Sequence, residues 1–395
     1  MERHRAGPRH RGGRPRVQPA GRRAAGAAGP EDAARARVRE LGRLLEAGVS
    51  AGVFPGGVAV VRRAQKAVSS VAVGNAEVVP EHRAVQLDTL FDLASLTKVL
   101  CTVPVVLRLC AEGLVDLDAP LRRWLPELQE APCGRVTVRQ ALAHTGGLPA
   151  WRPLYLEARG LDAVVQAVAK VPLEAEPGQR VVYSDLGVLL VGAAVERATG
   201  RRMDALFEEH VARPLGLGQS QFCPPPAWHR RCAATERGNR YERDLAGEAG
   251  AGFPWREGVI VGEVHDGNAY YALGGVAPHA GLFSPAEEVA RVAEAWAGPA
   301  AWLPEGYRLE AVRDQRGAAA GPPRGLGWVL HHPEAFFAAL GPRSFGHTGF
   351  TGTSVAVDPE RALVVVLLTN RVHPQVREGV ADFRRAFHEA VARLA

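Results

Sequence analysis

Ser95 and Lys98 are the residues whose types and spacing most directly indicate chemistry. They stand three positions apart in the segment FDLASLTKVL, at the start of a strongly apolar helical pattern. A spacing of three places both side chains on one face of a helix, one turn apart. The serine would then lie at the helix N-terminus, where free amides and the helix dipole favour an oxyanion. We expect the apolar surroundings to disfavour the charged form of the lysine, and a neutral lysine can take the serine proton.

The S-x-x-K spacing is hard to obtain by chance in this chain. Nine serines and three lysines among 395 residues give about 0.07 accidental matches, and the motif occurs once. Most cationic residues here are arginines, which do not give up a proton, whereas Lys98 can. For the motif alone, the alternative is a serine that caps a helix, followed by a surface lysine.

A second segment, PGQRVVYSDLGVLLVG, places Tyr183 and Asp185 two residues apart before an apolar helical pattern. A tyrosine phenol can act as a general base where nearby cations lower its pKa. Asp185 can hold Lys98 or a substrate amide. Taken in isolation, the same fragment is typical of a packed aromatic side chain and a helix cap.

A third segment, FGHTGFTGTSVAVD, carries His347, Thr348 and Gly349 directly before a predicted strand. Glycine at this point permits close approach of the backbone to a ligand. The amide of Phe350 could form half of an oxyanion hole together with the amide of Ser95. A turn before an edge strand would have a similar sequence.

The elements that must position these residues follow from hydrophobic periodicity. The sequence predicts helices and strands at both ends of the chain, with one helix kinked at Pro104: helix 31–48, strands 56–63 and 67–74, helix 95–112, strands 354–358 and 362–370, and helix 383–394. The middle of the chain is mostly helical. We therefore predict an α/β (α+β) fold in which the N- and C-terminal segments form one antiparallel sheet flanked by helices. A helical subdomain, roughly 112–220, would complete a cleft for a small molecule.

The composition is that of an ordinary globular protein, with 47% hydrophobic and 23% charged residues. Residues 1–30 contain eight of the arginines and one acidic residue, so the rest of the chain is close to neutral. Nucleic acid is therefore not an expected partner. We predict a disordered basic tail over residues 1–30 and a single domain over 31–395.

The N-terminus lacks the apolar core of a secretory signal, and no apolar run is long enough for an integral membrane segment. As written, the sequence predicts a cytoplasmic protein; a different true N-terminus would make it periplasmic or extracellular. Five cysteines without metal-ligand spacing indicate free thiols.

The order S-x-x-K, Y-x-D, H-T-G resembles that of the serine β-lactamase and penicillin-binding protein superfamily. The similarity is strongest to class C β-lactamases, D-Ala-D-Ala carboxypeptidases of the penicillin-binding protein 4B kind and family VIII carboxylesterases. It covers about residues 35–375 and includes VTVRQALAHTGGLP (136–149) and HDGNAYYALGGVAPHAGLFS (265–284). The resemblance implies a β-lactamase/transpeptidase-like fold.

The resemblance also implies roles for the motif residues. Ser95 would be the acylated nucleophile, Lys98 its proton partner, and Tyr183 the base that activates Ser95 or the deacylating water. His347 replaces the usual lysine of K-T-G, and Asp185 stands where the family commonly has asparagine. Both departures disfavour a β-lactam substrate, because neutral histidine binds a carboxylate less well than lysine and aspartate cannot donate to an acyl amide.

The block at 265–284 also contains His265, Asp266, Asn268 and His279, to which the sequence assigns no chemical role beyond a cleft-lining loop. The two histidines are fourteen residues apart without a second close ligand pair, so we predict neither a metal site nor an organic cofactor.

The sequence thus predicts a serine hydrolase that forms an acyl-enzyme on Ser95 and cleaves an ester, a D-alanyl peptide or a β-lactam. A G-x-S-x-G sequence occurs at 48–52, but it follows the predicted helix 31–48 and not the strand that a nucleophile elbow requires; the sequence contains no H-E-x-x-H motif, so neither of these other hydrolase classes is favoured. The alternative is a catalytically silent relative that binds peptidoglycan fragments or a partner protein. The presence of the nucleophile makes that alternative the weaker one.

Overall fold

The structure is a computed structural model that describes Met1 and residues 30–298 and 302–394. The predicted disordered tail, residues 1–30, lies outside the described residues apart from Met1 and Pro30. Among the residues described, no helix has both the length and the apolar character needed to cross a membrane.

The strands form two antiparallel sheets. Their bounds are β1 (Gly56–Arg63), β2 (Lys66–Glu77), β3 (Arg83–Ala84), β4 (Phe91–Asp92), β5 (Gln221–Phe222), β6 (Leu282–Ser284), β7 (Val329–Leu330), β8 (Phe345–Thr348), β9 (Ser354–Asp358) and β10 (Leu363–Thr369). The large sheet has the order β3-β2-β1-β10-β9-β8-β7, and the small sheet has the order β4-β6-β5. Because β1 pairs with β10, the two ends of the chain share one sheet, as predicted.

Helices flank the large sheet and fill the middle of the chain. The α-helices are α1 (Pro30–Ser50), α2 (Val103–Ala111), α3 (Val138–Leu142), α4 (Leu161–Ala169), α5 (Asp185–Thr199), α6 (Met203–Phe207), α7 (Arg213–Leu215), α8 (Arg240–Ala246), α9 (Ala286–Ala297), α10 (Glu305–Ala311) and α11 (Val380–Leu394). Turns of π-helix lie at Lys98–Thr102, Glu208–Ala212 and Asn268–Ala272. Short 3₁₀ segments lie at Leu121–Arg123, Pro126–Leu128, Pro132–Arg135, Leu154–Leu156, Pro226–Arg231 and Gly247–Gly250.

The central strands are buried on both faces. Successive side chains of a strand point to opposite sides, so alternate residues enter two different cores. In β1, Val58 and Val60 enter the core shared with α9 and α2, whereas Ala59 and Val61 enter the core shared with α1 and α11. Strand β10 alternates in the same way. The fold is therefore a sheet with helices on both sides, as the sequence predicted.

The region 112–220 contains α3 to α7 and no strand of either sheet, which agrees with the helical middle predicted from the sequence. Near Pro104, where the sequence predicts a kink, the helix changes type: the π-helical turn Lys98–Thr102 ends two residues before the proline, and α2 follows. Proline has no N–H for the hydrogen-bond ladder, and the wider turn accommodates that loss.

The H-T-G segment differs from the prediction in one respect. His347 and Thr348 belong to β8 itself, where they pair with Val355 and Ser354 of β9. Gly349 begins the turn that follows. The H-T-G segment therefore ends β8 and does not directly precede β9. The turn at 349–353 joins the two strands and lets them pair.

Candidate active site

Ser95 is half-buried in a turn between β4 and the helical segment that contains Lys98. The preceding Ala94 has φ of 46°, a left-handed conformation that non-glycine residues rarely adopt. The buried Asp92 carboxylate holds this turn, since it accepts the amide of Ala94 at 2.9 Å and the amide of His265 at 2.7 Å. Segments that are far apart in sequence therefore fix the backbone in front of Ser95.

Lys98 lies beneath Ser95, as the spacing predicts. Its Nζ donates to Ser95 Oγ at 2.7 Å and to the carbonyl oxygen of His279 at 3.1 Å. The carboxylate of Asp185 lies 2.7 Å from the same Nζ. Because the Lys98 side chain is only 1% exposed, these groups take the place of water around the ammonium.

The protonation of Lys98 differs from the sequence-based expectation. Burial lowers the pKa of Lys98, but the charge and hydrogen bond of Asp185, with Tyr183, outweigh it and hold the pKa above its ordinary value. The expectation considered the apolar neighbours alone, whereas a carboxylate at contact distance reverses the sign. Lys98 is therefore an ammonium ion in the resting structure.

Tyr183 is the third member of the cluster. The Lys98 ammonium lies 5.1 Å from the centre of its ring. Burial raises the pKa of Tyr183, and the negative charge of Asp185 adds to this, while Lys98 and Ser95 lower it in part. The net pKa lies above the ordinary value, so Tyr183 is a neutral phenol at rest.

His144, which the sequence analysis did not single out, packs against Tyr183 with ring centroids 4.5 Å apart. Its Nδ1 accepts the backbone amide of Ser184 at 3.1 Å, which ties the helix-capping Ser184 to the loop after α3. Burial, together with the charges of Arg324 and Lys98, holds the pKa of His144 well below its ordinary range. The ring is therefore a neutral support for Tyr183.

The H-T-G segment stands beside this cluster. The His347 ring lies 6.0 Å from the Tyr183 ring, and its Nδ1 donates to the carbonyl oxygen of Thr348 at 2.8 Å. Burial and then the charge of Lys98 hold the pKa of His347 well below its ordinary value, so it is neutral as expected. A Cβ on Gly349 would lie 2.5 Å from the carbonyl oxygen of Leu93. A Cβ would also clash with Thr353 Oγ1, so both the turn itself and the backbone before Ser95 require glycine at this position.

A cavity of about 250 Å³ opens at Ser95, and we refer to it as the Ser95 cavity. Its walls combine acidic, aromatic and small side chains with two histidines: Asp92, Ala94, Ser95, Trp151, Tyr183, Asp185, Tyr241, Glu242, Leu245, His265, Asp266, His279, Ala280 and Phe350. Of the five predicted substrate-binding residues, Asp185 and Phe350 line this cavity. His347, Thr348 and Gly349 do not, although they adjoin the residues that do.

The 265–284 block lines the cavity through His265, Asp266 and His279. Burial tends to raise the pKa of Asp266, but its contact with the His279 ring at 3.0 Å, among other charges, brings that pKa to about 2. The ring of His265 lies 2.9 Å from the Glu236 carboxylate. Asn268 has a structural role, because its side chain hydrogen-bonds the backbone of residues 152 and 155.

Three potential metal ligands, Asp185, Asp266 and His279, have oxygen or nitrogen atoms within 4.8 Å of one another. The sequence predicted no metal site. In this structure the Lys98 ammonium already lies on Asp185, and the His279 ring lies on Asp266. Each of the two carboxylates thus already contacts another side chain of the protein.

Sequence reasoning missed Trp151, Tyr241 and Glu242, which all line the cavity. Tyr241 and Glu242 belong to the short helix α8, whose sequence RYERDLA contains no motif. Trp151 directly follows the HTGGLP stretch, which was noted for resemblance only. The HTGGLP stretch could have pointed to Trp151, but only folding brings Trp151 close to Ser95.

A serine that accepts a hydrogen bond from a buried lysine, at the wall of a cavity, is the arrangement expected of a serine hydrolase. The comparisons with known proteins give the same class. The chain belongs to the Beta-lactamase family, whose model matches residues 34–389.

Three relatives show how broad this similarity is. The chain is 30% identical over 374 residues to an N-acetylmuramyl-L-alanine amidase of Bacillus subtilis (strain 168), covering 86% of this chain and 82% of the relative. It is 31% identical over 318 residues to a protein of Escherichia coli (strain K12) provisionally named a D-alanyl-D-alanine carboxypeptidase, covering 73% and 71% of the two chains. A penicillin-binding protein homologue from Caulobacter crescentus has the same fold, with a TM-score of 0.71, 22% identity and coverage of 92% and 98%.

Proposed function

We propose that this protein cleaves an amide or ester bond through an acyl-enzyme on Ser95, with Lys98 and Tyr183 as the groups that move the serine proton. The observation that carries the proposal is the contact of Lys98 Nζ with Ser95 Oγ at 2.7 Å inside a buried cluster. A surface lysine after a capping serine would not be buried against the hydroxyl. The catalytically silent alternative gains no support from this geometry.

The reaction proceeds in two balanced halves. Ser95 Oγ bonds to the acyl carbon, the bond from that carbon to the leaving nitrogen or oxygen breaks, and the leaving group receives the serine proton. Water then attacks the Ser95 ester, which releases the acid and returns a proton to Oγ. The amides of Ser95 and Phe350, both residues of the cavity wall, are the proposed donors to the oxyanion.

The proton moves through the Lys98 and Tyr183 pair. At rest Lys98 is an ammonium ion and Tyr183 a neutral phenol, because the pKa of each lies above its ordinary value. The pair can therefore accept the Ser95 proton only after losing one of its own. We propose that the reactive form is this singly deprotonated pair, so acylation becomes faster as pH rises.

We propose an amide bond in a cell-wall peptide as the substrate. The two curated relatives at 30% and 31% identity both carry names for amide hydrolysis at alanine. A β-lactam is disfavoured, because the neutral His347 stands where a lysine would bind its carboxylate.

The test combines covalent labelling with turnover. Wild type and Ser95→Ala are incubated with a fluorophosphonate or a fluorescent penicillin, and intact mass is measured. In parallel, both proteins are assayed with N-acetylmuramyl-L-alanyl peptides, D-alanyl-D-alanine peptides and p-nitrophenyl butyrate. We expect a fluorophosphonate adduct on Ser95 and amide turnover that falls by at least about 10³-fold in Ser95→Ala.

Ser50→Ala, at the exposed end of α1, is the matched control and should behave like wild type. A folded wild type that takes no label and turns over none of the substrates would overturn the proposal in favour of a binding role. Label that persists in Ser95→Ala would assign the nucleophile elsewhere. Rapid ester turnover without amide turnover would keep the nucleophile and replace the substrate class.

A further inference from the structure

A second cavity lies beside α8, and we refer to it as the arginine cavity. Six of the described residues line it, and four of them are arginines: Arg237, Gly238, Arg240, Arg243, Arg256 and Glu257. None of these six lines the Ser95 cavity. With a volume of about 460 Å³, the arginine cavity falls within the usual range of small-molecule sites.

Helix α8 separates the two cavities. Tyr241, Glu242 and Leu245 of this helix line the Ser95 cavity, whereas Arg240 and Arg243 line the arginine cavity. Successive residues of a helix are rotated by about 100°, so the two arginines point away from the side that carries the other three residues. A ligand in the arginine cavity would therefore leave the Ser95 cavity free.

Three of the four guanidinium groups have no acidic partner. Among the described residues, none makes an ion pair with Arg237, Arg240 or Arg243, and all three side chains are exposed. Arg230, which is also exposed, instead lies 3.2 Å from the Glu81 carboxylate. Like charges gathered around one cavity repel one another, so a bound anion would stabilise this cluster.

The fourth guanidinium group, that of Arg256, is held in place by the protein. Its side chain is only 10% exposed, and it donates to the carbonyl oxygens of Val264 and His265 at 2.9 and 3.0 Å. Its Nε donates to the Asn239 side chain at 2.9 Å, and Glu263 lies 3.5 Å from Nη1. Because this cation is already fixed, an anion that binds near it does not have to order it.

The charge of the wall indicates the chemistry of the ligand. Four guanidinium groups and the Glu257 carboxylate leave a net charge of +3. A single carboxylate would balance only one of these charges. A phosphate group carries about −1.5 to −2 near neutral pH and has three acceptor oxygens, so two linked phosphates come close to balancing the wall. The planar guanidinium group of arginine also matches phosphate oxygens in pairs.

We infer that the arginine cavity binds the diphosphate group of a small molecule, at a site separate from the one at which Ser95 reacts. Arg237, Arg240 and Arg243 would donate to the phosphate oxygens, and Arg256 would supply fixed positive charge beside them. This inference goes beyond the proposed function and does not depend on it, because the two cavities are lined by different residues.

The test is isothermal titration calorimetry of the full chain with inorganic pyrophosphate, without divalent cations and at one ionic strength set with sodium chloride. We expect saturable binding with a Kd of about 1 mM or lower. Citrate is titrated in parallel, because it carries several negative charges on separate carboxylates. We expect citrate to bind at least about tenfold more weakly than pyrophosphate, since it does not present the clustered oxygens of linked phosphates.

The double variant Arg237→Gln, Arg240→Gln removes two exposed guanidinium groups from the cavity. Its Kd for pyrophosphate should rise at least about tenfold, as is usual when hydrogen bonds to charged groups are lost. The double variant Arg385→Gln, Arg393→Gln makes the same change in net charge at exposed positions of α11. That control should bind pyrophosphate like wild type, which separates a local site from attraction to the whole protein.

Each other outcome overturns the inference. A wild type without saturable pyrophosphate binding has no such site. Binding that survives in Arg237→Gln, Arg240→Gln would place the anion elsewhere, for example on the arginines of residues 1–30. Equal losses in both double variants would show attraction to net charge only, and citrate binding as tight as that of pyrophosphate would reject the diphosphate. Fluorophosphonate labelling of Ser95 reports on the proposed function alone.

Discussion

Asp185 controls the protonation of the two groups beside Ser95. Its carboxylate lies 2.7 Å from Lys98 Nζ, and its charge raises the pKa of both Lys98 and Tyr183. In the proposed mechanism the reactive pair has lost one proton, so the raised pKa values of Lys98 and Tyr183 would keep the site in its resting form at neutral pH. Asp185 anchors Lys98, and we predict that it also influences the pH at which Ser95 reacts.

The Asp185→Asn variant tests whether the charge of Asp185 acts on Lys98 and Tyr183. Removing the negative charge lowers the pKa of both partners, so the rising limb of Ser95 acylation should move to lower pH by about 1 to 3 units. The measurement is the pH dependence of fluorophosphonate labelling, with Asp382→Asn on the exposed surface of α11 as the control. A limb that stays in place would show that Asp185 does not act on the proton-transfer pair.

Helix α5 positions two of the motif residues through its first turn. Ser184 caps the helix by accepting the amide of Gly187 at 3.2 Å, and Tyr183 and Asp185 stand on either side of that cap. Further along the helix, Gly192 packs against Pro278. The next residue, His279, has the carbonyl oxygen that accepts a hydrogen bond from Lys98 Nζ. The helix therefore supports the cluster at both its start and its middle.

Gly192→Ala should disturb that support. A Cβ at this position would lie 2.4 Å from Pro278 Cγ, so the 278–279 backbone must shift. We expect a loss of about 1 to 3 kcal/mol in unfolding free energy, as is usual for overpacking, together with slower labelling of Ser95. Urea denaturation and labelling rates measure the two effects.

Gly187→Ala is the matched control in the same helix. A Cβ there would meet its nearest neighbours at 3.6 Å, an ordinary contact. Alanine also favours a helix over glycine by about 0.5 to 1 kcal/mol, so this variant should equal or exceed wild type in stability. Equal losses in both variants would contradict the argument from Pro278.

At the scale of the whole molecule, the C-terminal helix completes both the core and the site. Phe387 and Val391 of α11 are buried with Leu41 and Leu45 of α1 on one face of the large sheet. From the same helix, the buried Arg384 donates to the carbonyl oxygen of Gly349 at 2.7 Å. The last helix thus secures the turn that packs in front of Ser95.

Phe387→Ala tests whether residues 31–395 form one domain, which remains our prediction. Truncating this 1% exposed side chain should cost about 3 to 5 kcal/mol of unfolding free energy. Loss of tryptophan fluorescence and loss of Ser95 labelling should then coincide at one lower urea concentration. Glu389→Ala, exposed on the same helix, should not shift the transition. Two separate transitions would indicate that the helical region 112–220 unfolds on its own.

Much of this molecule follows from sequence alone, because it depends on regular local geometry. The three-residue spacing of Ser95 and Lys98 fixes their shared face, and the valine-rich runs at 56–63 and 362–370 fix two central strands. The resemblance between ordered motifs supplied the family. The near-neutral charge of the chain outside residues 1–30 also followed from residue types.

The tertiary structure decided the remainder, because protonation and charge balance depend on contacts between distant segments. Lys98 alone among apolar neighbours would be a neutral base, yet Asp185, 87 positions away, makes it an ammonium ion. Glu242 belongs to no motif, and only folding brings its carboxylate into the cavity of Ser95. Helix and strand periods specify which residues share a face, whereas the electrostatics of a buried site arise from whichever charges packing brings within a few ångströms.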